Sequence, residues 1–203
     1  MIHELAQQLV DLIFGWGYLG IFIMMAIESS FIPFPSEIVL VPAGYLASQG
    51  EMSMWAIMVA ALAGSMIGSF VNYFLALTLG RKFLLKFGKY FFIKEATLLK
   101  MELYFQKHGH ISTFTGRLIP GVRQLISIPA GLAKMNIAEF SLFTLLGAGI
   151  WALILVLLGY FIGENKELIS EYLKELTVVL FMVVVFIGLL YYRYQKNKEK
   201  KDD

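Results

Sequence analysis

Hydrophobic positions in this chain do not alternate with polar ones; they run in blocks. Apolar residues dominate at about 14–27, 38–47, 54–79, 111–133, 140–162 and 176–192, with polar stretches between them. Blocks of about twenty residues suit helices that cross a bilayer core of ~30 Å. Met54 to Leu79 would reach roughly 39 Å as a helix, which predicts tilt or protrusion. The block IVLVPAGYLA, at 38–47, is too short to span and carries Pro42. Residues 111–133 are interrupted by Arg117, Pro120, Arg123 and Pro129. Ahead of the first block, residues 1–14 lack a basic start and contain Glu4 and Asp11. That stretch is unlike a signal peptide and is expected to be an amphipathic helix at the interface.

Composition agrees with the pattern. Of 203 residues, 58% are hydrophobic and 16% charged, where a soluble domain would be about half apolar and a quarter charged. The expectation is an all-α polytopic membrane protein with about four full spans. The chain has no cysteine, which excludes disulfides, thiolate metal sites and a cysteine nucleophile.

Charge placement suggests orientation. Segment 81–108 holds seven Lys/Arg against two Glu, and the tail 193–203 is also basic at its start. Basic loops stay in the cytoplasm, so both are assigned inside. The acidic loop at 163–175, with four Glu and two Lys, falls outside, as does the turn at Gln49–Ser53 without Lys or Arg. The N-terminus then lies inside with the C-terminus. Segment 81–108 is expected to lie on the cytoplasmic leaflet, or to be a plain basic loop.

The chain also resembles itself. Displaced by 87 positions, Ile32-Pro33 meets Ile119-Pro120, Pro42-Ala43-Gly44 meets Pro129-Ala130-Gly131, and Tyr73-Phe74 meets Tyr160-Phe161. The first copy is followed by the basic segment and the second by the acidic loop, so the copies face opposite ways. Inverted pairs of interrupted helices that meet near the midplane occur in many transporters. Irregular backbone at membrane depth needs protein or a wet cavity around it. The predicted organisation is a membrane domain at 15–163, made of repeat one (15–80), the basic segment (81–108) and repeat two (109–163). A loop and last span follow at 164–192, then the tail at 193–203. Pro33, Pro35, Pro42, Gly44, Pro120, Pro129 and Gly131 would shape two opposed re-entrant loops.

Four charges sit in those loops: Glu28 and Glu37 in the first, Arg117 and Arg123 in the second. Each costs ~2.5–3.5 kcal/mol at a bilayer centre on insertion scales, so acids are expected to face bases across the repeat. One reading makes these pairs structural, but buried ion pairs are weak stabilisers. The other makes them a site. Arginine forks suit a phosphate and stay charged. A glutamate balanced between burial and a nearby arginine can exchange a proton. Ser36 is expected to cap a short helix starting at Glu37, whose N-terminus would favour an anion. Gly64, Gly68 and Ala76 read as a helix-packing face. Asn72 reads as an interhelical hydrogen bond. Trp16, Trp55, Tyr191, Tyr192 and Tyr194 read as an interfacial belt, and His108 and His110 as solvated.

ESSFIPFPSE followed by PAG, and GRLIPGVRQLISIPAGLAKM, resemble the two motifs of the DedA family over about Gly17 to Gly163. After Tyr73 the family often has Gly-Arg three residues on; here Ala76-Leu77 stand there, and Gly80-Arg81 follow. The resemblance implies two re-entrant helices facing each other and a multi-pass protein of the bacterial cytoplasmic membrane. It also implies lipid translocation, with undecaprenyl phosphate foremost, phosphatidylethanolamine as a rival lipid and dependence on the proton motive force in some members. Glu28, Glu37, Arg117 and Arg123 match the family's essential acids and arginines. The resulting expectation is a flippase-like transporter in which Arg117 and Arg123 bind the phosphate and Glu28 and Glu37 couple protons or gate. Its partners are a membrane lipid and protons, with no nucleic acid, cofactor, metal or catalytic residue, and homo-oligomerisation is left open. A broad scramblase, a proton-coupled ion antiporter, an intramembrane phosphatase and an assembly factor are the rivals.

Overall fold

The structure is a computed structural model that describes residues 2–30, 35–80, 95–119 and 121–162, with single positions at 179, 182 and 186. The side chains of 2–14 and 95–98 are outside that description. So are the acidic loop, most of the last predicted span, the tail, and Pro33 and Pro120.

The described elements are helical throughout. In chain order they are α1 (Ile2–Glu28), α2 (Glu37–Ser48), α3 (Met54–Leu75), α4 (Glu95–Leu118), α5 (Val122–Leu125), α6 (Ser127–Leu132) and α7 (Ile137–Ile162). A π-helical turn, Ala76–Gly80, extends α3. Together Met54–Gly80 and Ile137–Phe161 are long and apolar enough to cross a membrane. Their outward faces are apolar too: Val59, Ile67, Val71 and Phe74 on α3, and Leu142, Leu146, Ile150 and Leu153 on α7, are exposed. Such a surface is costly in water and suits lipid.

The first apolar block is shorter than a span. Gly17 lies at φ 54°, ψ −128° inside α1, a conformation open to glycine and strained for other residues. It kinks α1 near the start of the apolar piece Gly15–Glu28. That piece and the 12-residue α2 would each rise only about 20 Å, and their facing ends carry Glu28 and Glu37.

The basic segment is divided differently from the sequence reading. Residues 81–94 lie outside the description, but 95–108 belong to α4, which runs on without a break to Leu118. Gly109 sits inside this helix, where a Cβ would come within 3.1 Å of the Met135 Sδ. The boundary at 108 came from charge alone, and charge does not end a helix. The prolines differ as well. Pro42 sits inside α2 and Pro129 inside α6. Pro35 stands just before α2, where its carbonyl accepts the Ile38 N–H.

Glycines set the packing by letting backbones touch. A Cβ at Gly64 would strike the Phe22 carbonyl, and one at Gly68 the Ala26 carbonyl, so α1 and α3 approach closely there. Gly44 on α2 abuts the Val156 carbonyl and the Tyr160 amide of α7, and Gly131 on α6 abuts the Tyr73 carbonyl of α3. Gly147 makes room for the Arg117 side chain where α4 meets α7. One apolar cluster, including Ile21, Leu40, Ile57, Leu155 and Val156, joins α1, α2, α3 and α7. A second, including Tyr73, Phe105 and Phe140, joins α3, α4 and α7. The Tyr73 hydroxyl also donates to the Met135 carbonyl, 2.5 Å away. Trp16, beside the Gly17 kink, and Trp55, at the start of α3, are exposed, at 53% and 82%. Next to them the Tyr18 hydroxyl accepts the Ser53 N–H at 2.8 Å.

Candidate functional site: a buried charged centre

Local backbone chemistry places each charged group. The α1 helix ends just past Glu28, where the Ser30 hydroxyl turns back to the Ile27 carbonyl at 2.6 Å. Ser29 donates its hydroxyl to Glu28 Oε2 at 2.9 Å. Glu37 opens α2, a position where the helix dipole favours an acid. Ser36 precedes it but makes no side-chain cap. Its hydroxyl instead accepts the Trp151 indole N–H at 3.2 Å. Arg117 lies in the last turn of α4, where the dipole favours a cation. The chain then turns through Gly121, at φ 80°, and the Arg123 N–H bonds to the Ile119 carbonyl.

Three of the four predicted residues meet directly. Arg123 Nη2 lies 3.2 Å from Glu28 Oε1 and 3.5 Å from Glu37 Oε1. Its guanidinium stacks on the Trp151 ring, 4.7 Å from the centroid. Glu28 is buried, whereas the Glu37 side chain is 26% exposed. Arg117 differs. Among the described residues it has no carboxylate within ion-pair distance, and its Nη2 donates to the Ser69 hydroxyl at 2.5 Å and the Ser127 hydroxyl at 2.8 Å. Arg123 thus contacts two acids directly, whereas the direct contacts of Arg117 are hydroxyls. Asn72 bridges the two halves as an interhelical hydrogen bond, donating to the Ser29 carbonyl at 3.3 Å and the Gln124 carbonyl at 3.1 Å.

Both arginines are buried, and each keeps donors without an acceptor. Among the described residues, Arg117 Nε, Arg123 Nε and Arg123 Nη1 have no hydrogen-bond partner. Buried polar groups are nearly always satisfied, by protein, ordered water or a bound ion. Donors of this kind suit an oxyanion.

Sequence reading did not single out Ser69, Ser127, Ser36 as an indole acceptor, or Trp151. One signal was available for Ser69: Gly64, Ser65, Gly68, Ser69 and Asn72 recur at helical spacing and form one buried face of α3. Trp151 was visible as a tryptophan in mid-block, away from the ends where interfacial tryptophans sit. His108 and His110 lie elsewhere. They are half-buried rather than fully solvated, with the His108 ring beside Tyr104 at 5.0 Å and the His110 ring beside Phe143 at 5.7 Å. Burial, then Lys107 and His110, hold the His108 pKa below its ordinary value. Among the described residues no group of three or more His, Cys, Asp or Glu is placed to hold a metal ion.

Span-length helices, an apolar exterior and a charged centre define an integral membrane protein with a polar interior. The chain belongs to the VTT-domain family, also called the DedA family; the VTT domain matches residues 34–161. It is 37% identical to the uncharacterized membrane protein YkoX of Bacillus subtilis strain 168, over 98% of this chain and 88% of that one. It is 36% identical to an alkaline phosphatase-like protein of Lactococcus lactis strain IL1403, over 87% and 83% of the two chains. It is 33% identical to undecaprenyl phosphate transporter A of Bacillus subtilis, over 96% of each. No solved structure matches it.

Proposed function

We propose that this protein carries an anionic lipid headgroup across the bacterial cytoplasmic membrane, and that its substrate is undecaprenyl phosphate. The observation that carries this reading is the pair of buried arginines with donors left unsatisfied, at Arg117 Nε and at Arg123 Nε and Nη1. A phosphate brings the oxygens that these donors lack. The name of the Bacillus subtilis relative supports the same lipid. In this reading the tail stays in the bilayer while the headgroup passes through the centre.

The packing supports an inverted repeat with two re-entrant hairpins. Gly44 abuts Tyr160 while Gly131 abuts Tyr73, and both pairs are related by the 87-residue displacement. Each short helix thus rests on the long helix of the other half. Glu37 is the less buried of the two acids and the longer of Arg123's two contacts. We assign it, with Glu28, to proton coupling or gating: an arriving phosphate competes with both carboxylates for Arg123.

The phosphatase reading takes its support from the Lactococcus lactis name. It needs an activated nucleophile, but Ser69 and Ser127 face Arg117, and Ser69 donates to the Ser65 carbonyl. The transport reading is the better fit.

The test is leaflet exchange in liposomes. Reconstituted protein is followed with a labelled polyprenyl phosphate, a labelled phosphatidylethanolamine and a polyprenyl pyrophosphate, with and without a pH gradient. Transport of the polyprenyl phosphate is expected, with a loss of about tenfold or more in Arg117→Ala and Arg123→Ala. Wild-type rates in both variants refute the assignment. Equal exchange of both lipids makes the protein a broad scramblase, and phosphate release makes it an enzyme.

A further inference from the structure

Trp151 is the least expected residue at the centre. Tryptophan in membrane helices favours the two interfaces, where its ring is apolar and its N–H is wet. Trp16 and Trp55 fit that habit, but Trp151 is 3% exposed and lies in the interior of α7. A leucine or phenylalanine would fill such a position without bringing an N–H to satisfy. Here the N–H finds the Ser36 hydroxyl, and the ring face lies against Arg123. One side chain therefore ties α7 to the residue before Glu37 and to the arginine that Glu37 contacts.

That contact affects what Arg123 has to offer. Two carboxylates beside one guanidinium favour bidentate pairing, which consumes its donors. Instead, both acids approach the same nitrogen, Nη2, while Nε and Nη1 have no acceptor among the described residues. The indole covers one face of the guanidinium and restricts its rotation. The Ser36 hydrogen bond in turn fixes the indole.

We propose that Trp151, held by Ser36, is a positioning residue for the anionic headgroup. It keeps Arg123 from closing fully onto Glu28 and Glu37, so that Nε and Nη1 stay available to the oxygens of a lipid phosphate. This role rests on the headgroup reading above. It predicts that Trp151 governs discrimination between a charged headgroup and a neutral one on the same tail.

The full chain in detergent micelles tests it, with a radiolabelled short-chain polyprenyl phosphate and the matching polyprenol alcohol as probes. Trp151→Met, which keeps an apolar side chain without a π face, weakens phosphate binding by about tenfold and leaves alcohol binding unchanged. Trp151→Phe, which keeps an aromatic face, recovers most of that loss. In a Trp16→Phe/Trp55→Phe protein the remaining indole reports on itself, and phosphate but not alcohol changes its emission. That measurement needs no substitution at position 151 and holds even if Trp151→Met does not fold. Wild-type phosphate affinity in Trp151→Met, equal losses for both probes, or an emission deaf to bound phosphate each refute the positioning role. Failure of the wild type to bind the phosphate at all refutes the transport reading first, and this role with it.

Discussion

Arg117 and Arg123 share a residue type and a depth of burial, yet they have different neighbours. Arg123 is held by two acids and an indole, Arg117 by two hydroxyls. The two acids differ likewise, since Glu28 is buried and Glu37 is partly open to solvent. Replacing one member of a buried pair leaves a charge poorly compensated, whereas an exposed pair contributes little. Glu28→Gln is therefore expected to cost about 2–3 kcal/mol of stability and Glu37→Gln less than about 1 kcal/mol. Unfolding midpoints of the two purified variants in one detergent would check the order, and equal losses would contradict it. All four charges were legible in the sequence because a charge inside an apolar block, like Arg117 and Arg123, or at its edge, like Glu28 and Glu37, stands out. Their partners were not. Arg123 and Glu37 are 86 residues apart, and pairing at that distance depends on how the helices pack. Ser69 and Ser127 were invisible for another reason: serine is an ordinary residue in a membrane helix, and only its contact with Arg117 gives it a role.

Helices were easier to read than their ends. Blocks 54–79 and 140–162 became α3 with its π turn and α7, because long apolar runs leave a chain in lipid few alternatives to helix. The short block became α2, but Pro42 did not break it. Gly44, two residues on, matters at this scale. A Cβ there would meet backbone atoms of α7, and one at Gly131 would meet the Tyr73 carbonyl of α3. Backbone cannot step aside as a flexible side chain does. Gly44→Ala and Gly131→Ala should each destabilise by about 1–3 kcal/mol through overpacking. Gly149→Ala should stay within about 0.5 kcal/mol, since its nearest neighbour is the Leu62 side chain at 3.7 Å. Thermal unfolding of the three proteins decides it; a tolerated alanine at either Gly44 or Gly131 would mean the helices pack less closely there.

At the scale of the whole molecule, the proposed topology has definite consequences. In that proposal, charge bias would put the turn at Gln49–Ser53 outside and the basic segment inside. The chain has no cysteine, so single cysteines report without background. Glu51→Cys in intact cells should react with a membrane-impermeant maleimide, and Lys100→Cys only after permeabilisation. The opposite pattern would invert the orientation, and labelling of both from outside would contradict a membrane between them. The sequence by itself determined the class of protein, its helical blocks and the four charges, because hydropathy and charge are local properties that lipid makes decisive. Only the tertiary structure decided that Arg123 takes both acids, that Arg117 takes serines, and that an indole in the interior of α7 meets the start of α2. Those contacts join residues far apart in the chain, and they exist because glycines let the helix backbones come close enough to meet.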